Sequence, residues 1–140
     1  MQDRLEEAFE SESKTFESKF KGKHIIFDCK KLIRINSLGA RHWTNFLKAL
    51  VENDNTVEFR FCQPEYIEYA NLLTELFHAK SITSLGVPYR CTEFNHHARQ
   101  FFPLKNLSID DDFVTIACEA CGRHMKAEVE PDEYLDFTTE

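Results

Sequence analysis

No run of apolar residues in this chain approaches the roughly eighteen that a membrane-crossing helix requires. A charged-then-apolar opening of the secretory type is missing as well. Both absences lead us to expect a soluble, cytoplasmic protein with no membrane partner. Internal repeats and low-complexity tracts are absent, so neither a solenoid nor a long linker is expected. A glycine-rich phosphate loop, a Ser-x-x-Lys pair and a His-Glu-x-x-His helix are lacking too. No nucleophile, base and orienting group can be assembled from what remains, so we do not expect an enzyme. Basic charge is short: 17 Lys and Arg stand against 24 Asp and Glu, for a net charge of −7. An acidic chain without an extended basic face is a poor partner for nucleic acid.

What is present suffices for a core. Of 140 residues 42% are hydrophobic, and thirteen are phenylalanine, which excludes global disorder. Charge is unevenly placed. Residues 128–140 hold six acidic side chains and no lysine or arginine, whereas 19–34 hold five lysines and Arg34 against Asp28 alone. Five cysteines make an odd number, and Cys29 and Cys62 fall at the ends of expected core strands. They read as small buried hydrophobes in a reducing compartment, not as a disulfide framework.

Periodicity divides the chain. Leu5, Phe9, Phe16 and Phe20 share a face of an expected amphipathic helix over 2–20. "HIIFDC" (24–29) reads as a buried strand. Trp43, Phe46, Leu47, Leu50 and Val51 recur at helical spacing and predict a helix over 38–52. "TVEFRFC" (56–62) alternates as a strand does, and Pro64 opens a helix expected over 64–78. A further extended piece over 81–87 ends at Pro88. Strands alternating with helices imply a largely parallel or mixed sheet covered by helices, an α/β unit over 1–87. Beyond it, "PYRCTEFNHHARQFFPLKN" reads as irregular. "DFVTIAC" (112–118) and "HMKAEVE" (124–130) read as a hairpin, and an acidic tail follows. Residues 88–140 are thus expected to form a small β-hairpin appendage.

The turn "INSLGARHW" (35–43) leads into the strongest helix. Asn36 and Ser37 are natural N-cap residues, and Gly39 lets the backbone turn tightly. On its own this is a capped helix. A phosphoserine at such an end would be tolerated by the helix dipole, yet would put about two negative charges on an exposed face.

An apolar strand ending in Asp28, followed by Asn-Ser-x-Gly and an amphipathic helix, resembles the STAS domain of sulfate transporters and anti-sigma factor antagonists. The resemblance covers 1–87. It implies a non-enzymatic regulatory protein–protein interaction module of bacterial signal transduction. Its partner would be an anti-sigma factor or kinase, and its switch phosphorylation of Ser37. Asn36, Gly39 and Arg41 would share the partner-binding face. Family members usually begin with strands before the first helix. Starting with a helix would leave a sheet edge open, to be covered by the C-terminal hairpin or by a second chain in a homodimer.

The stretch "CEACGRHM" (118–125) is one knuckle of a zinc ribbon: Cys118 and Cys121 on a tight turn, with Gly122 supplying a left-handed backbone. Its other half is degraded, because Cys91 stands alone and Phe94 falls where a second cysteine belongs. Some STAS-like bacterial proteins carry an appended pair of Cys-x-x-Cys knuckles after a "PY-x-C" stretch, which Pro88, Tyr89 and Cys91 resemble. Three readings stay open. Zinc is the one candidate cofactor, held by Cys91, Cys118, Cys121 and a histidine, with His96 the leading choice beside His97 and His124. A decayed ribbon would instead be held by its hairpin and by Phe101, Phe102 and Phe113. A redox thiol pair is disfavoured, because this Cys-x-x-Cys does not open a helix. By sequence alone the motif reads as half a site with its partner half lost. Were zinc bound, the Cys91 sulfur must come within about 4 Å of the other two. The alternative function is then a zinc-ribbon-bearing protein that binds nucleic acid or protein.

Overall fold

The computed structural model describes residues 4–5, 21–91 and 95–139, with 4–5 described in backbone only. In chain order the elements are β1 (Arg4–Leu5), β2 (His24–Asp28), β3 (Arg34–Ile35), α1 (Ser37–Glu52), β4 (Thr56–Arg60), α2 (Pro64–Leu72), β5 (Ser84–Cys91), β6 (His96–Pro103), β7 (Ile116–Ala117), β8 (His124–Ala127) and α3 (Pro131–Tyr134). The molecule is mixed α/β, as composition and periodicity led us to expect. No described helix is long and apolar enough to cross a membrane.

β2 and β4 pair in parallel from His24↔Thr56 to Asp28↔Arg60. Their odd–even pattern decides the faces, as a two-residue period requires. Ile25, Phe27, Val57 and Phe59 turn inward, while His24, Asp28, Thr56 and Arg60 stay in water. Parallel bridges Phe59↔Ile82 and Cys62↔Leu85 bring the entry to β5 along the other side of β4. α1 makes the β2–β4 crossover and buries Ala40, Trp43, Phe46, Leu47 and Leu50. Val51, expected on that face, is instead 39% exposed at the last turn. Phe27, Trp43, Phe46, Phe59 and Tyr66 meet with ring centroids 5.3–6.3 Å apart. Inside this aromatic core the Trp43 indole N–H donates to the Tyr66 hydroxyl at 2.9 Å. Cys29 and Cys62 are both fully buried, as expected.

Several expectations are corrected. The helix expected over 2–20 lies outside the described residues except at Arg4–Leu5, which form a short strand parallel to Arg34–Ile35. The helix opened by Pro64 ends at Leu72, not 78. Phe77 is drawn into the core, stacked on Tyr69 and edge-on to Tyr66, and His78 turns left-handed directly after it. The "irregular" stretch after Pro88 is a strand pair. β5 runs on through Pro88 and joins β6 antiparallel from Ser84↔Pro103 to Cys91↔His96. Alternation was hidden there because β6 is exposed along most of its length and its solvated side chains carry no apolar signal. The expected boundary at 87/88 therefore falls inside β5, which carries both the parallel and the antiparallel pairing.

The expected hairpin over 112–130 is present in shorter form: β7 pairs β8 antiparallel, Ile116↔Met125 and Ala117↔His124. β8 in turn pairs β5 through Tyr89↔Ala127 and Arg90↔Lys126. The hairpin thus adds to β5 and does not pair with β2. Nor is the acidic end a free tail. Tyr134, Leu135 and Phe137 are buried against α2, with the Tyr134 hydroxyl donating to Gly86 O at 2.6 Å. Asn71 holds the segment from both sides: its amide donates to Tyr134 O at 3.0 Å and accepts from Phe137 N at 2.8 Å.

Candidate metal centre

Antiparallel register does what the sequence alone left undone. Cys91 closes β5 and His96 opens β6, and the two residues face each other across the ladder. The β7–β8 hairpin, docked on the far side of β5, carries the Cys118–Cys121 knuckle to the same end of the sheet. One donor atom each from Cys91, His96, Cys118 and Cys121 then lies within 4.8 Å of all the others. The Cys91 and Cys121 sulfurs are 3.5 Å apart, and the Cys118 sulfur is 3.6 Å from His96 Nδ1. A tetrahedral ion with Zn–S of about 2.3 Å and Zn–N of about 2.0–2.1 Å has edges of about 3.8 Å between two sulfurs and about 3.6 Å between sulfur and nitrogen. The Cys91–Cys121 and Cys118–His96 separations lie within about 0.3 Å of those edges. These four are the residues named from sequence, and the histidine supplies the donor that Phe94, itself outside the described residues, could not.

The knuckle is set by its backbone. Cys118 N–H donates to Arg123 O and Gly122 N–H donates to Cys118 O, both at 2.7 Å. Gly122 sits at φ +73, where a side chain would strain the turn. Cys91 and Cys118 are buried, Cys121 is partly so, and His96 is exposed. At Cys121 the Arg123 backbone N–H favours the thiolate, but burial and the adjacent Cys91 and Cys118 thiols together push its pKa above the usual thiol value. Crowded sulfurs resist carrying charge side by side, and a bound cation reverses that preference.

Neither of the other histidines joins the cluster. His97 lies on the opposite face of β6, where its Nδ1 meets Glu128 Oε1 at 3.0 Å, and His124 stands exposed at the start of β8. The aromatics of the decayed-ribbon reading also lie elsewhere: Phe101 packs edge-on to Phe61, and Phe113 edge-on to Tyr134. Cys62 is kept protonated, its pKa raised by burial first and by Cys29 second.

The second set of candidates lies at the start of α1. Ser37 is exposed as the first residue of the helix, with Asn36 and Arg41 exposed beside it and Gly39 buried. The capping role falls to Asn36, whose side-chain oxygen accepts from Gly39 N at 2.7 Å. Ser37 is therefore not the cap, and its hydroxyl is not committed to holding the helix end. Sequence reasoning overlooked Asn71 and the buried Tyr134 and Phe137. Their apolar spacing inside an acidic stretch was the available signal. No protein-family model, curated protein or solved structure matches the chain.

Proposed function

We propose that the chain is a non-enzymatic regulatory module that binds another protein, with a C-terminal unit built round a structural zinc ion. The observation that supports this reading is the convergence of Cys91, His96, Cys118 and Cys121, with one donor atom from each within 4.8 Å of the others. Three thiolates and one imidazole are a donor set typical of structural zinc. Four protein donors also leave no coordination position for water or substrate, which is the mark of a structural site and not a catalytic one. The ion would tie the end of β5, the start of β6 and the knuckle together. It would therefore hold the antiparallel half of the sheet where a small hairpin has little core of its own.

The partner face we assign to the start of α1. Ser37, Asn36 and Arg41 are exposed there, and Ile33 and Leu38 add exposed apolar surface. The resemblance of residues 1–87 to anti-sigma factor antagonists names the partner class, an anti-sigma factor or kinase, and makes Ser37 the phosphorylation site. Elemental analysis after dialysis tests the metal. We expect about one zinc per chain in the wild type, less than about 0.2 in Cys121→Ser, and a loss of stability with it. A wild type below about 0.2 zinc, with Cys121→Ser equally stable, would overturn the structural-zinc reading.

A further inference from the structure

A groove of about 580 Å³ runs between α2 and the 128–134 segment, and none of the ligand cluster's side chains lines it. Its walls include Leu72, Val129 and Tyr134. Leu72, the last residue of a helix that buries Tyr66, Ile67 and Ala70, is 75% exposed, and Leu76, four residues on, is 54% exposed. With Leu73 also exposed, three of the exposed large hydrophobics fall within five consecutive residues. Single exposed leucines are ordinary, but three in so short a stretch, one of them in the wall of a groove, mark a binding surface.

The same groove is bordered by four carboxylates, Glu68, Glu128, Glu130 and Glu133, and no lysine or arginine among the described residues lines it. Glu128 is met by His97. Among the described residues no lysine or arginine forms an ion pair with Glu68, Glu130 or Glu133. Like charges gathered round exposed apolar surface repel one another until a cation is brought to them. An occupant must therefore carry both apolar and positive groups.

We propose that this groove docks a cationic amphipathic segment of a partner protein, with leucine-type side chains against Leu72 and Val129 and lysines or arginines against the glutamates. Charge complementarity selects this occupant over the others. A second copy of the chain has a net charge of −7, with a basic excess only at 19–34, and so offers the acidic border less positive surface than a cationic segment does. Residues 6–20 of the same chain, with five glutamates against two lysines, are repelled by it. Nucleic acid has the wrong sign altogether. α2 spans nine residues, or about 13 Å at 1.5 Å per residue, so two to three turns of a bound helix fit along it. This surface extends the interaction role proposed above and uses neither the zinc ligands nor Ser37.

Fluorescence anisotropy with a labelled fourteen-residue synthetic peptide, leucines at helical spacing and lysines elsewhere, tests it against the intact protein. A scrambled peptide of the same composition is the control for charge alone. Leu72→Ser and the double variant Glu68→Lys with Glu133→Lys alter the groove. Glu52→Lys, exposed on α1, reverses a charge elsewhere, and circular dichroism and zinc content check that each variant is folded. We expect each groove variant to weaken the patterned peptide at least tenfold, about 1.4 kcal/mol. Glu52→Lys should leave binding within twofold, and the scrambled peptide should bind at least tenfold more weakly. The proposal is overturned if folded groove variants bind within twofold of wild type, if the scrambled peptide binds equally well, or if no binding appears up to about 1 mM. Zinc content and the Ser37→Asp effect on a natural partner stand apart from these outcomes, so the groove can fail without the module reading failing.

Discussion

Two adjacent residues at the start of α1 should behave in opposite ways when replaced by alanine. Asn36 accepts from Gly39 N at 2.7 Å, and Gly39 is buried, so water cannot replace the lost oxygen easily. Removing an N-cap side chain costs about 0.5–2 kcal/mol, and a buried donor left unpaired costs about 1–3 kcal/mol. Asn36→Ala should therefore lose about 1–2 kcal/mol, the upper part of the capping range. Ser37 is exposed at the first helical position and caps nothing, and alanine is the better helix former by a few tenths of a kcal/mol. Ser37→Ala should therefore change stability by less than about 0.5 kcal/mol in either direction. Ser37→Asp should gain about 0.3–1 kcal/mol from the helix dipole, which Arg41 one turn on does not oppose. Urea titration followed by Trp43 fluorescence reads all three. The difference between the two alanine variants amounts to about tenfold in the unfolding constant. If Ser37→Ala proves as damaging as Asn36→Ala, Ser37 is structural after all and the case for a free, switchable hydroxyl collapses. If stability behaves as expected and Ser37→Asp still binds a natural partner within twofold, the helix end is a capped terminus and no switch.

Two further tests probe the core and the sheet. Tyr66→Phe keeps the ring but strips the acceptor from the buried Trp43 indole N–H, so urea unfolding should show a loss of about 1–3 kcal/mol; a loss under about 0.5 kcal/mol would mean that bond is not formed. Glu58 accepts from Arg60 Nε at 2.6 Å and is also bonded by His24 and Thr83, which together hold its pKa down to about 2 against an ordinary 4.5. With the folded value depressed, its contribution to stability is complete above about pH 4.5 and fades as pH falls through about 2. The stability gap between wild type and Glu58→Gln should accordingly shrink on acidification from pH 5 to pH 2, and a gap that stays constant would contradict the Arg60 pairing.

Local pattern carried the core and little else. The i, i+3, i+4 spacing of Trp43, Phe46, Leu47 and Leu50, the alternation in "TVEFRFC" and the proline at 64 each express geometry that a few residues impose on their neighbours. α1, β4 and the start of α2 were legible for that reason. The end of α2 was not, because Phe77 leaves the helix to meet Tyr66 and Tyr69, residues whose positions depend on the whole core. β6 was hidden by its own exposure, since a strand with water along most of it has no hydrophobic period to read. The metal ligands divide along the same line. Cys118, Cys121 and Gly122 form a knuckle through bonds within six residues, so sequence sufficed to find it. Whether Cys91 had a companion depended on register. A ladder that sets Cys91 opposite His96 places an imidazole where no second cysteine exists, and pairing of β8 with β5 carries the knuckle to it. The first rests on the register of a hairpin whose exposed strand hides its period, the second joins residues some thirty positions apart, and only the folded chain decides them.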